Sequence, residues 1–364
     1  MARALMLVSQ AADSHLRSDV AAGLKPCPEY LRLEAEHQVE LLDWSRLPFG
    51  VKRRSVAGSL LHVAAAMREL RRFDVVFSDG EHLGIPLGLA IRLRRLDIPH
   101  LMLGHHLTTA RKRHLFNALS PKRGISRILM HSRRQIEVAQ QDLRLHEAQL
   151  AFVPYFADPD FWSPRPLDEE DLIATAGREH RDYATLAAAC SDLPVRVAVA
   201  AGSYHSPRAP WMPPATWPTN FERIELLDRV ALRDLYARAK LVVVPVLNTD
   251  FQAGVTTLLE AMAMGRPVIV TATDGQRDIV EDGETGILVP PGDPQALKDA
   301  VRRLLHDRDE RLRLGANARR AVQTRFSLNT YAAAVAGHLE ELAEASAGRA
   351  HSARQEASGT RVSA

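Results

Sequence analysis

The chain has 364 residues, 46% of them hydrophobic and 25% charged, with a formal net charge of +3; this ordinary globular balance favours two domains, each with its own core. Its two cysteines, Cys27 and Cys190, lie far apart and suggest neither a disulfide framework nor a CxxC metal or redox site. The first apolar run, residues 4–8, is too brief for a secretory leader, and no segment holds ~18 uninterrupted apolar residues, so a cytoplasmic protein, soluble or peripheral at the inner face of a membrane, is expected.

In chain order, residues 4–8 read as a first strand, 73–77 as a second and 100–103 as a third, with helical apolar spacing over 86–96. The pattern restarts after Pro164-Arg165-Pro166 and the acidic run 168–171, which read as a linker. Strands then follow at 172–176, 195–201, 241–245 and 267–271. Strands alternating with helix-length segments predict an α/β protein of two doubly wound parallel-sheet domains, residues 1–160 and 166–327. A helix over 328–342 is expected to pack back towards the first domain, and residues 343–364 are expected to be disordered. Residues 206–218, rich in proline and tryptophan, read as a surface loop. Two such domains present their carboxyl strand ends to a shared crevice, where a ligand binds.

Charge is spread unevenly. Residues 1–165 carry about 24 Lys and Arg against about 17 Asp and Glu. The clusters are 52–54, 92–95, 111–113, 122–123 and 133–134. They read as solvated helix faces or as a basic surface that meets an anionic acceptor or membrane. They lack the interleaved aromatics that would stack nucleic-acid bases.

The most informative stretch is 250–267, between two buried strands. Gly254 frees the backbone for a tight approach, a helix is predicted from about Val255 to Met264, and Gly265 and Pro267 end it. The start of this helix, with Thr256 and Thr257 in its first turn, is an anion site suited to a pyrophosphate. Glu260 interrupts an otherwise apolar helix. A buried carboxylate is costly unless paired, and it can accept from two vicinal hydroxyls such as those of a ribose; the alternative is a structural acid satisfied by protein.

With Ala261-Met262-Ala263-Met264-Gly265-Arg266-Pro267-Val268, this segment resembles the donor-site signature of the family 4 retaining glycosyltransferases, Glu-x7-Glu followed by Ala-Met-Ala-x-Gly-x-Pro-Val. The likeness continues through 273–280 and 282–293. Residues 153–161 resemble the linker strand into the second domain, and 177–183 fall where the family places its phosphate-binding Gly-Arg…Lys. The resemblance covers most of 150–340 and is weak before residue 70. It implies the GT-B fold and a metal-independent transfer of a hexose-type sugar from a nucleoside-diphosphate sugar, a co-substrate and not a bound cofactor, to a small-molecule, glycan or lipid-linked hydroxyl acceptor. In that reading Gly177, Arg178 and Arg181 hold the diphosphate with Gly254, Val255, Thr256 and Thr257, and Glu260 holds the ribose. An active-site histidine is implied after the third strand, either His105 or His106; Asp79, Glu81 and His82 sit similarly after the preceding strand.

Three departures stand out. Gln252 replaces the first acid of the pair, which in the family faces the donor sugar, and so cannot stabilise developing positive charge. Arg181 replaces the phosphate-binding lysine at a shorter spacing, where an arginine can still grip a phosphate. Ser9-Gln10-Ala11-Ala12-Asp13-Ser14 stands where relatives carry a glycine-rich turn. The rival readings are a catalytically silent nucleotide-sugar-binding protein and an epimerase or phosphorylase of the same fold.

Overall fold

A computed structural model describes residues 2–47, 55–107, 110–202 and 211–359. The basic cluster 52–54 and residues 206–210 of the 206–218 loop lie outside the described residues.

The first sheet contains β1 (Ala4–Leu7), β2 (Glu40–Leu42), β3 (Val75–Ser78), β4 (His100–Gly104), β5 (Arg127–Met130) and β6 (Leu150–Phe152), in spatial order β2-β1-β3-β4-β5-β6. The second contains β7 (Leu172–Ala176), β8 (Arg196–Ala200), β9 (Phe221–Ile224), β10 (Leu241–Val244), β11 (Val268–Thr271) and β12 (Ile287–Val289), in order β12-β11-β10-β7-β8-β9. Every pairing in both sheets is parallel. Strands such as Leu241–Val244 are buried along their whole length, because helices cover both faces of each sheet. The order reverses between β1 and β3 in the first sheet and between β10 and β7 in the second. These switch points open a crevice at the strand ends, and the two crevices face each other.

The chain crosses between the domains twice at one place. Ala157 N–H donates to Phe326 O at 2.9 Å, and Leu328 N–H donates to Ala157 O at 2.8 Å. The helix Leu328–Gly359 then returns to the first domain, where Tyr331, Val335 and Leu339 pack with Met6, Phe77 and Leu101. Residues 343–359 therefore continue a helix where the sequence reading ends one. Ala343 is still buried in the first domain's core, and the alanine-rich segment beyond it has the propensity to propagate the helix.

Other expectations are corrected. The first-domain helix runs Glu81–Arg94, one turn ahead of Pro86, because burying Leu83 and Ile85 outweighs the bond lost at proline. The linker strand lies at β6, ahead of 153–161, and pairs with β5 in the first sheet. The acidic run after Pro166 is docked on the second domain: Glu169 pairs with Arg311 at 2.8 Å, and Glu170 and Asp171 pair with Arg196 and Lys240. Arg133 and Arg134 are likewise turned onto the second domain, towards Asp278 at 3.5 Å and Asp250 at 3.4 Å. They reach across the domain boundary, Arg133 with its side chain 67% exposed and Arg134 with 33%. Among the described residues no helix is long and apolar enough to cross a membrane.

Candidate active site

The helix Val255–Ala263 begins at the bottom of the crevice. Gly254, which precedes it, has φ +82°, a left-handed conformation that L side chains rarely adopt. A Cβ there would stand 2.9 Å from Arg181 Nη1, and one on Gly177 (φ +89°) would stand 2.5 Å from Arg181 Nη2. The Arg181 guanidinium is thus held between two glycine turns. It is 3% exposed and donates from Nε to Ala176 O (2.9 Å), from Nη1 to Glu179 O (2.9 Å) and from Nη2 to Thr257 Oγ1 (3.1 Å). All three acceptors are neutral. Its positive charge adds to the positive dipole end of the helix instead of cancelling it, an arrangement unfavourable for the protein alone and favourable for an anion.

This corrects the reading of two residues. Arg181 does not face the cavity; it lies behind the backbone and acts on the site through its field and its bonds. Thr257 turns inward to serve it, also donating to Ala176 O at 3.3 Å. Arg178 lies over the Trp211 ring at 4.7 Å, where its charge is spent on an aromatic face.

Three adjoining cavities meet at the exposed Thr256. The first, about 120 Å³, is bounded by Gly177, Gly202, Leu227, Thr257 and Glu260 at the second domain's switch point. Glu260 is 8% exposed. Arg229 Nη1 and the Tyr236 hydroxyl both reach it at 3.4 Å. Burial pushes its carboxyl up to about 7 against the pull of Arg229. Glu260 therefore has protein partners, at the long limit of hydrogen-bond geometry, and keeps acceptor capacity towards the cavity.

The second cavity, about 170 Å³, lies between the domains. His105, His106 and His131 from the first domain face Gln252, Gly254 and Val255 from the second. His106 packs edge-on against Phe251 at 4.6 Å, which closes one side. Its backbone N–H is held by the Glu81 carboxylate, and burial lowers its ring pKa. His105 Nε2 bonds Asp79 O at 3.1 Å, and Gln135 Nε2 donates to His105 O at 2.7 Å. His131 is buried with Nδ1 on Val153 O at 2.9 Å, and burial drives its pKa down to about 3; its Nε2 has no partner. Gln252 is 7% exposed, and neither atom of its amide has a partner. A buried polar atom without a partner costs about 1–3 kcal/mol, and those of His131 and Gln252 lie on the wall of this cavity.

The third cavity, about 590 Å³, extends from Glu260 and Arg229 across to the first domain. The Ser9 segment borders it: Asp79 Oδ2 accepts from Ser9 N–H at 2.5 Å and from Ser9 Oγ at 2.7 Å. Burial raises the Asp79 pKa. Asp79 thus fixes the first loop, and Glu81 fixes the backbone at His106. Among the described residues no three His, Cys, Asp or Glu side chains are grouped to hold a metal ion.

The structure brings His105, His106, Gln252, Gly254, Val255 and Thr256 to one cavity and Gly177, Thr256, Thr257 and Glu260 to its neighbour. Sequence reasoning missed His131, Gln135, Arg229, Tyr236 and Gln276. Gln276 is 1% exposed, and its amide donates to Ala253 O, supporting the turn into the helix. His131 carried one usable signal, its place directly after β5, by the rule that located His105 and His106.

Comparison with known proteins agrees with this geometry. Residues 183–307, within the second domain, match the family model described as "Glycosyl transferases group 1". The whole architecture is the GT-B fold. It superimposes on Anabaena HepE in complex with UDP-glucose with a TM-score of 0.67 at 16% identity, covering 94% of this chain and 100% of that one. It superimposes on sucrose-phosphate synthase from Thermosynechococcus elongatus with a TM-score of 0.69 at 18% identity, with coverage of 94% and 100%. In sequence the chain is 35% identical over 97 residues to alpha-D-kanosaminyltransferase of Streptomyces kanamyceticus, 27% of this chain and 25% of that protein. It is 39% identical over 109 residues to D-inositol 3-phosphate glycosyltransferase of Xylanimonas cellulosilytica, 30% of this chain and 25% of that protein. The chain thus spans about a quarter of the length of these curated relatives.

Proposed function

We propose that this protein is a glycosyltransferase that moves a sugar, with retention of anomeric configuration, from a nucleoside-diphosphate sugar to a hydroxyl acceptor. The observation that carries the reading is the buried Arg181 guanidinium set against the start of helix Val255–Ala263 with neutral partners only. Two positive sources converge on one backbone-lined point, which suits a diphosphate. The ribose then lies towards Glu260 and the sugar towards His105, His106, His131 and Gln252. A neighbour of the same fold described in complex with UDP-glucose supports a donor of this class.

In the step itself the acceptor oxygen bonds to the anomeric carbon and the bond from that carbon to the diphosphate breaks. The diphosphate leaves with the electron pair, and the hydroxyl proton passes to it on the same face. The chain's contribution is to hold the leaving charge and exclude water. A second reading, a nucleotide-sugar binder without turnover, draws on Gln252 in place of an acid. Incubation with radiolabelled UDP-, GDP-, ADP- and TDP-sugars separates the two. Release of nucleoside diphosphate with a labelled product of retained configuration is expected. Tight donor binding with neither transfer nor hydrolysis would favour the silent binder.

A further inference from the structure

The large cavity beside the donor site has a lining that speaks to the acceptor. Its first-domain wall is Leu16, Leu24, Pro26, Pro28 and Tyr30. Across from these stand Tyr155 and Phe156, stacked at 5.3 Å and 13°, and Trp162. The wall is held in place from both domains: Cys27 N–H donates to Asp158 Oδ2 at 2.8 Å, which ties the 24–28 loop to the crossover segment. Leu24, on that loop, is 51% exposed.

The charges on the lining are distributed against an anion. Among the described lining residues the cations are Lys25 and Arg229. Lys25 is paired with Asp19 at 2.8 Å, and Arg229 is directed at Glu260 at 3.4 Å. Four carboxylates line the same space: Glu29, Asp158, Asp228 and Glu260. Asp158 and Asp228 are engaged by backbone N–H groups, while Glu29 stands in the first turn of its helix. Among the described residues a phosphate placed here would meet carboxylates and no unpaired cation, a costly arrangement.

We propose that this cavity is the acceptor site and that it takes a hydroxyl-bearing molecule with an apolar body and no phosphate. The inference rests on the glycosyltransferase reading and makes it specific. Volume agrees with it: about 590 Å³ is within the range of pockets that bury an organic ligand, larger than one monosaccharide needs. The class is set apart from a sugar phosphate or inositol phosphate by the lack of an unpaired cation among the described lining residues, and from a bare sugar by the leucine and proline wall.

The test measures binding of two probes by saturation-transfer NMR and calorimetry on the whole protein held with UDP: 4-nitrophenyl β-D-glucopyranoside and glucose 6-phosphate. The nitrophenyl glucoside is expected to bind at least about tenfold more tightly, the two differing by a buried ring against a desolvated phosphate. Leu24→Glu, at an exposed position that leaves folding intact, is expected to weaken the nitrophenyl glucoside by about tenfold while UDP affinity is unchanged. Equal or tighter binding of glucose 6-phosphate, or a Leu24→Glu protein that binds the nitrophenyl glucoside as well as the parent, overturns the acceptor class and leaves the donor reading intact. Failure of UDP and all four nucleotide sugars to bind overturns the donor reading, and the acceptor inference falls with it.

Discussion

At the proposed phosphate end of the site the polar groups are tied to one another, and at the proposed sugar end two side chains, Gln252 and His131, keep polar atoms with no partner. Arg181, Thr257, Ala176 and Glu179 form a closed set of hydrogen bonds pinned between two left-handed glycines. Gln252 and His131 Nε2 have none. The first arrangement is part of the fold and carries the site's positive field. The second spends stability on a surface complementary to something else. Substitutions at the phosphate end should therefore damage folding and binding together, and those at the sugar end should change selectivity at little cost to the fold.

The largest effect is expected from Arg181→Ala. It removes the guanidinium donors of Glu179 O and Thr257 Oγ1 and leaves Ala176 O with the Thr257 hydroxyl, at a cost of roughly 1–3 kcal/mol, read by urea denaturation, and nucleoside-diphosphate binding is lost with it. Arg181→Lys restores the charge but not the fork of donors and should recover only part of the stability. A protein that keeps full stability as Arg181→Ala would show that the closed set is not structural.

Next comes the pH dependence at Glu260. Its folded-state pKa, pushed up to about 7 by burial, lies above the ordinary carboxylate value. Ionising it in the free protein therefore costs stability, and that loss develops as pH rises from the unfolded value through about 7. Ribose hydroxyls donate to the ionised form, so donor affinity should fall by up to about tenfold per pH unit below 7 and level off above it. In Glu260→Gln that slope should vanish. Calorimetric titration at pH 5.5, 6.5 and 7.5 reads it, and an identical slope in the variant would assign the proton to another group.

Gln252→Glu sharpens the comparison from the other end. An amide donates and accepts, while a carboxylate only accepts, so a sugar group that needs the N–H loses its partner, at roughly 1 kcal/mol or more. Turnover should drop or donor ranking should shift. Unchanged kinetics across the donor panel would remove Gln252 from the sugar subsite. The smallest effect is expected at Arg178. With its guanidinium over Trp211, Arg178→Ala should lower nucleoside-diphosphate affinity by less than about fivefold, the scale of an exposed cation–π contact. A much larger loss, specific to the diphosphate, would place Arg178 on the phosphates.

The sequence made the phosphate end legible because that end is built from local constraints. Gly254, the helix after it and its stop at Gly265 lie within one short segment, and glycine at a left-handed turn has a single physical reading. The long buried strands, β7 and β10 among them, were legible for the same reason. The strands β2, β6 and β12, three residues each, are too brief for a period to register, and β5 and β9, also missed, have four residues each with charged ones among them. The acceptor wall was not legible at all. Leu16, Leu24, Tyr30, Tyr155 and Trp162 come from separate elements, and each alone reads as core. Nor could spacing show that Arg181 points into the protein, since the second glycine turn that confines it is over 70 residues away in sequence. The helical continuation to Gly359 is not legible, because its low hydrophobicity matches that of a disordered tail while alanine propensity sustains a helix.

The central claim is that a nucleoside-diphosphate sugar lies across the start of helix Val255–Ala263, with its phosphates over Gly254 and its ribose towards Glu260. Hydrogen–deuterium exchange with and without UDP-, GDP-, ADP- and TDP-sugars tests it directly. At least one donor should slow exchange at the amides of 254–257 and of the Gly177 turn, since ligand contact suppresses local opening there. The account is contradicted if no donor protects these amides, or if protection appears only elsewhere in the chain.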